Sequence, residues 1–495
     1  MYFTRKLLIF ILLVAVLISG CQPSDQPAQL TAVAIISSTQ DAPDYESTLI
    51  SSRPNYAPGE LVDYIAQIGD TLPALAAHFN TTEQEIRENN PILPQDVSTL
   101  PTGLPLKIPI YYEALWGSQF QILSDSAFIH GPVDVGFSAI EFVNAHDGWL
   151  KNFVSYSGTE RYVGGEIVDL VAKNFSISSK LLLALLEYQS GALSRALSDE
   201  KESDYPLDYQ DWRYEKLYLQ LTWAANTLNN GYYSWKSGTL DSFERLNRKI
   251  ERPDPWQNAA TVALHYYFSK VLNDEEYFRA ISEDGFASLY QSLFGDSWAI
   301  EPHIPGSLQQ PEMHFPFLAG NPWAFTGGPH TGWGTGEPSA AIDFAPPSVV
   351  GGCTPSTEFV TAVADGIIAR SEYALAVLDL DMDGDERTGW VVFYLHLGND
   401  NKIPKGEVVK TGDVIGHPSC EGGRSTGTHV HIARKYNGEW INASGPLAFN
   451  LEGWIASSFN EPYKGALTKY GKSVIACVCS DINSQVYSTF PKVEN

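Results

Sequence analysis

Five residues in the last third of the chain could do chemistry together: His330, Asp343, His396, His429 and His431. His429 and His431 stand two apart in STGTHVHIA, and residues two apart on a strand share a face, so both rings enter one site. His396 sits near the end of the apolar run WVVFYLHL, and His330 and Asp343 lie upstream in GGPHTGWGTGEPSAAIDFAPP. A hydrolytic zinc takes three nitrogen or oxygen ligands and keeps a fourth position open. His330, Asp343 and His431 can supply the three. His396 and His429 are then left over, one to act as general base and one to donate to a tetrahedral oxyanion, a contribution of about 10²–10⁴-fold. The chemistry of such a set is metal-assisted hydrolysis at a carbonyl. His314 and His417 also lie in this part of the chain, each near a proline, and are left out of the site.

A second acidic group follows a different rule. Asp379, Asp381, Asp383 and Asp385 alternate, with Gly384 at the sixth position, as at the start of an EF-hand loop. Trp390 occupies the twelfth position, where that loop carries glutamate, and the flanks read as strands. Calcium is one reading, because hard oxygen ligands suit it. A solvated acidic hairpin tip is the other.

These residues need a β scaffold. Residues 312–450 read as all-β, with short strands rich in Val, Ile, Phe and Tyr between Gly, Pro and Asp turns. Phe359 to Ala364 and Gly366 to Ala369 are expected as a hairpin around Asp365-Gly366. Val391 to Leu397 and Thr428 to Arg434 are expected strands, and Lys410 to Asp413 a turn before Val414-Ile415. Pro302, Pro305, Gly306 and Pro311 mark the boundary on the N-terminal side.

The pieces VTAVADG at 360–366, Tyr394-Leu395-His396, GDVIG at 412–416 and STGTHVH at 425–431 resemble the lysostaphin/LytM-type peptidoglycan endopeptidases. The resemblance covers the segment assigned to 305–450. It implies an antiparallel β fold and zinc held by His330, Asp343 and His431, with His396 and His429 catalytic. One departure stands out. The usual pattern is H-x-x-x-D, and Ser339 occupies the histidine position before Asp343. His330 lies 13 residues before Asp343 instead. That spacing is similar to the LasA/β-lytic branch, whose ligand histidine also lies further upstream. The alternative is a domain that has lost its first ligand and activates another hydrolase.

Residues 61–112 read as strand, helix, helix, strand. Thr82 and Glu85 form a capping-box pattern, and Leu72, Leu75, Ala76 and Phe79 fit one helical face. With GDTL, Asn89-Asn90 and LPLKIP, this βααβ segment resembles a LysM domain, which implies binding to N-acetylglucosamine-containing glycans such as peptidoglycan.

Residues 115–300 carry apolar residues at helical spacing, clearest from Val168 to Leu186. FSISSKLLLALLEYQSGAL resembles the opening of lysozyme-like transglycosylase domains, which implies an all-α middle domain. The acid position of that motif is Gln189 here, and an amide cannot protonate a leaving sugar oxygen. Glu187 stands about 200° away around the helix. The domain is therefore expected to be non-catalytic, a spacer or a glycan-binding surface.

At the start, Arg5 and Lys6 precede an apolar run from Leu7 to Ile18, too short for the roughly 20 residues of a membrane span. Ile18-Ser19-Gly20-Cys21 resembles the bacterial lipobox, which implies export and lipidation at Cys21, after a signal over 1–21. Residues 22–60 read as a flexible linker. Residues 451–495 are expected to pack on the preceding domain or to form a short appended element. Of five cysteines, Cys353 and Cys420 flank the site and form the favoured pair, while Cys477 and Cys479 leave the connectivity open.

With 58 acidic against 32 basic residues, net charge −26, the chain lacks the basic face a nucleic-acid partner requires. The multidomain reading is an exported protein, lipid-anchored on the outer face of the cytoplasmic membrane or in the cell envelope. It holds peptidoglycan through the LysM segment and cuts peptide cross-links at a zinc site. A non-catalytic wall-binding regulator is the competing reading.

Overall fold

The computed structural model describes residues 53–490, apart from 112–116, 158, 198, 349 and 480. The expected signal, Cys21 and the linker up to residue 52 lie outside the described residues. Among those described, no helix is long and apolar enough to cross a membrane.

The first module pairs β1 (Glu60–Ile65) with β2 (Pro105–Ile110), antiparallel, around helices Leu72–His78 and Glu83–Asn89. Thr71 caps the first helix by accepting from the Ala74 amide. Thr82 and Glu85 form the expected capping box on the second. Such caps satisfy orphan amides and contribute about 1 kcal/mol each. Leu72, Leu75, Ala76, Phe79 and Ile86 are buried between helices and hairpin. The module is docked on its neighbour. Lys236 Nζ donates to the Ile68 carbonyl at 2.6 Å, and the His78 ring stacks on Trp235 with centroids 3.5 Å apart.

The middle of the chain is helical, chiefly Gly164–Phe175, Ser179–Ser190, Leu217–Lys236 and Ala259–Val271. Two short hairpins interrupt it: β3 (Val154–Ser157) with β4 (Glu160–Val163), and β5 (Phe243–Glu244) with β6 (Ile250–Glu251). Helical spacing did not announce them, because neither hairpin alternates cleanly between apolar and polar residues. At Gln189 the amide is held at both ends, accepting from the Tyr267 hydroxyl and donating to the Leu207 carbonyl. Glu187 turns away to accept from the Leu193 amide at 2.7 Å.

The rest is β. Its strands are β7 (Trp323–His330), β8 (Ala341–Ala345), β9 (Val360–Thr361), β10 (Gly366–Glu372), β11 (Leu375–Asp379), β12 (Trp390–Leu395) and β13 (Val408–Val409). They continue with β14 (Val414–Gly416), β15 (Val430–Tyr436), β16 (Glu439–Ile441), β17 (Asn450–Leu451), β18 (Trp454–Ser458), β19 (Gly465–Lys469), β20 (Lys472–Ile475) and β21 (Gln485–Val486). The main sheet runs β13-β10-β11-β12-β15-β8-β7-β21, with β16 on β15. A smaller sheet runs β17-β18-β19-β20.

The two faces of the main sheet meet different neighbours. Val392, Tyr394, Val430, Ile432, Ile342 and Phe344 enter the domain's own core. Val391, Phe393, Leu395, Leu375, Val377 and Ala433 alternate with them and share a core with the helices. The helical domain is thus packed directly onto the sheet.

One expectation changes. Phe359 to Ala369 is not a hairpin: β9 pairs with β14, and β10 pairs with β11 and β13. Asp365 is the reason. Its carboxylate accepts from the Thr411 amide at 2.9 Å and from Lys410 Nζ at 2.8 Å, tying this turn to the turn at 410–413. Of the two expectations for the C-terminal segment, packing on the preceding domain is the one its described residues follow. β21 extends the main sheet, and Leu451, Ala456, Leu467 and Val474 lie in its core.

Candidate metal centre

Three adjacent strands bring the candidate ligands together. β8 lies between β7 and β15, with Asp343 paired to His431 on one side and Gly327 on the other. A Cβ at Gly327 would stand 2.5 Å from Asp343 Oδ2, so only glycine leaves room for the carboxylate. β7 carries register shifts beyond Gly327, and these bring His330 beside Asp343.

Three atoms then form a triangle. His330 Nε2 lies 3.1 Å from His431 Nδ1 and 3.3 Å from Asp343 Oδ1. His431 Nδ1 lies 3.2 Å from Asp343 Oδ1. The outer nitrogens settle where the protons are. His330 Nδ1 donates to the Gly328 carbonyl at 2.8 Å, and His431 Nε2 donates to the Gly332 carbonyl at 3.2 Å. In the neutral tautomers both inner nitrogens therefore present lone pairs, and Asp343 Oδ1 is buried without a hydrogen-bond donor. Three electron-rich atoms at this separation repel unless a cation lies among them. Zinc bonds of 2.0–2.1 Å in tetrahedral arrangement put ligand atoms about 3.3 Å apart. The triangle fits one face of that tetrahedron, and the donor set is one zinc takes. The same three residues form a group able to hold a metal ion.

Without a metal, the buried charges of the site lean on one another. Burial opposes charge on Asp343, yet His330 and His429 hold its carboxyl well below the usual carboxylate range. Burial likewise opposes charge on His330, and Asp343 overcomes it, raising the imidazole. For His431 burial prevails over Asp343, and the imidazole is lowered.

His396 and His429 stand beside the triangle, their ring centroids 4.4 Å apart. His429 precedes β15 by one residue, and its Nε2 lies 3.8 Å from Asp343 Oδ2. Its Nδ1 donates to the Gly427 carbonyl at 2.7 Å, and His396 Nδ1 donates to the Glu421 carbonyl at 2.7 Å. With Nδ1 taken up by a carbonyl, each ring turns Nε2 into the site. Burial first, then His429 and His431, push His396 down to about 4, so it is neutral at neutral pH. Its backbone is left-handed, at φ 62°, a strained conformation for a non-glycine residue. The Ser419 amide and hydroxyl hold it there through the His396 carbonyl, at 2.7 and 2.9 Å.

The loops around the site are stapled. Cys353 and Cys420 form a disulfide, and Cys477 pairs with Cys479. Thr428 reinforces the first link by donating its hydroxyl to the Thr354 carbonyl at 2.6 Å. Thus one cross-link fixes the segments that lead into His429 and that carry Glu421.

Sequence reasoning missed Tyr463. Its ring stacks on His330 with centroids 4.1 Å apart, from the segment for which no role was foreseen. No spacing pattern marks it, because it stands in a turn between β18 and β19 rather than on a strand. The omitted histidines are elsewhere: His417 turns to the Glu358 carbonyl, and His314 lies against Glu452 and Phe490.

The acidic loop is only partly assembled. Asp379, Asp381 and Asp383 come together, but Asp385 is turned to Arg387 at 2.6 Å.

Comparison with known proteins divides the chain similarly. Residues 348–443 match the family model for Peptidase family M23, 64–109 that for the LysM domain, and 121–307 that for the LasA N-terminal domain. The M23 match begins after His330 and Asp343, so two of the three candidate ligands rest on the geometry above. The chain is 30% identical over 174 residues to the beta-lytic metalloendopeptidase of Lysobacter enzymogenes, covering 90% of that protein and 32% of this one. It is 24% identical over 291 residues to protease LasA of Pseudomonas aeruginosa, 55% of this chain and 66% of LasA, and so spans just under two thirds of that relative. Among solved structures, the M23 metalloprotease pseudoalterin from the deep sea is similar, with 24% identity, TM-score 0.30, and coverage of 36% of this chain and 99% of that one.

Proposed function

We propose, on the premise that the chain belongs to peptidase family M23, that it is a zinc metalloendopeptidase hydrolysing peptide cross-links of peptidoglycan. The single observation that carries this reading is the triangle of ligand atoms at 3.1, 3.2 and 3.3 Å, closed by His330 despite Ser339 at the usual ligand position. The same observation weighs against a non-catalytic regulator, since that alternative required the first ligand to be lost.

Zinc held by His330, Asp343 and His431 would polarise the scissile carbonyl and bring a water's pKa to about 7. The remaining work falls to the protein. His396 and His429 each direct Nε2 into the site, because a backbone carbonyl accepts from Nδ1. One accepts the proton of the attacking water. Once protonated it can pass that proton to the leaving amine, while the other ring, in its doubly protonated form, donates Nε2–H to the developing oxyanion. Tyr463 and the Gly328 carbonyl orient His330, and the disulfide keeps His429 and the carbonyl partner of His396 in register.

The LysM segment would hold the glycan, and lipidation at Cys21 would keep the enzyme at the envelope. Relatives named LasA and beta-lytic metalloendopeptidase support a peptidase of this kind. The test is to incubate the full chain with cross-linked peptidoglycan and look for new amino termini by mass spectrometry. New termini from wild type, absent with His431→Ala, are expected. Undiminished cleavage by His431→Ala would sink the proposal.

A further inference from the structure

The helical domain carries an open cleft of about 510 Å³, within the roughly 300–1,000 Å³ of small-ligand sites. Its walls are aromatic. Tyr209 stacks on Trp223 with centroids 3.9 Å apart, and Tyr266 lines the cleft from the helix Ala259–Val271. Glu244, Leu246 and Arg248 reach it from the hairpin β5–β6, and Leu246 is 56% exposed there. Flat rings flanked by charged and amide groups match the two sides of a pyranose: an apolar C–H face that stacks and a rim of hydroxyl and N-acetyl groups that hydrogen-bonds.

The geometry points to this cleft as a second glycan-binding site, taking an N-acetylhexosamine strand without cleaving it. Cleavage needs two carboxyl groups flanking the bond. Glu244 is the one carboxylate among the cleft residues, Gln189 is neutral and tied at both ends, and Glu187 is engaged with the Leu193 amide. The cleft is also linked to the metal centre. Asn230, which lines it, accepts from the Glu337 amide at 2.8 Å, and Asn226 from the same helix accepts from Thr335 at 2.8 Å. Both lie in the loop between His330 and Asp343. A strand held in the cleft would therefore sit on the helix that clasps the loop between His330 and Asp343.

The inference rests on peptidoglycan being the substrate, and the two can fail separately. The experiment is hydrogen exchange by mass spectrometry on the full chain with saturating peptide-free N-acetylglucosamine hexamer. Protection is expected at 243–251 as well as in the LysM segment 64–109, with the hexamer recovered intact. Tyr266→Ala and Arg248→Glu should each weaken the protection at 243–251 about tenfold in hexamer concentration and leave 64–109 unchanged. Arg248 is exposed, so its variant answers even if Tyr266→Ala misfolds. Protection confined to 64–109, undiminished protection at 243–251 in both variants, or a cleaved hexamer would overturn the inference. Cleavage of peptide with no cleft protection removes this site alone. Cleft protection with no peptide cleavage removes the peptidase reading and leaves this one standing.

Discussion

Among the described residues, two clusters of acidic or imidazole groups lie closely enough to hold a metal ion, and they differ in what their oxygens and nitrogens already do. In the acidic loop the carboxylates are occupied. Asp379 accepts from the amides of Asp381 and Gly384, Asp383 from the Asp385 amide and the Thr388 hydroxyl, and Asp385 from Arg387. The loop folds on its own hydrogen bonds. At His330, Asp343 and His431 the protons point outward to carbonyls, and the inward atoms meet without one. Carboxylate count favours the first cluster. Unmet acceptor capacity, which costs free energy when buried, favours the second.

The sharpest way to break that contrast is to remove a ligand. His431→Ala should abolish both bound metal and peptide cleavage, read by elemental analysis and by product masses. Next, His396→Ala should lower the cleavage rate by about 10²–10⁴-fold while the metal stays bound, which separates proton transfer from ligation. Third, Cys353→Ser with Cys420→Ser opens a link spanning 67 residues, and should cost about 4 kcal/mol in denaturant unfolding by the loop-entropy relation.

The acidic loop should respond to pH instead of metal. Burial, then Asp381, raises Asp379 to about 7. A carboxyl raised in the folded state favours folding when protonated, so its contribution is full below about 4 and is lost as pH rises through about 7. Melting temperatures across that window should therefore fall more for wild type than for Asp379→Asn. Smallest of all, Asp383→Asn should leave bound metal and cleavage unchanged. Loss of activity on that substitution would mean the two clusters are not as different as their hydrogen bonds indicate.

Much of the site was legible because strand periodicity is rigid. His429-Val430-His431 could only present both rings to one side, and the apolar run WVVFYL ahead of His396 marked a further strand. His330 was legible through its resemblance-based spacing, although Ser339 stood where a ligand was expected. Tyr463 was not, since a stacking contact made from a turn leaves no periodic trace. Nor was the packing of the helical domain on the sheet: Val391, Phe393 and Leu395 would alternate in the same way whatever covered them. The Asp365-Gly366 dipeptide misled for a local reason. It reads as a tight turn, but its carboxylate is spent on Thr411 and Lys410, far along the chain.

The most direct test is zinc stoichiometry by elemental mass spectrometry on purified wild type, Asp343→Asn and Asp383→Asn. One zinc per chain in wild type and Asp383→Asn, with little or none in Asp343→Asn, is the predicted result. A full zinc complement in Asp343→Asn, or its loss from Asp383→Asn alone, would contradict the assignment of the metal to the three-strand triangle.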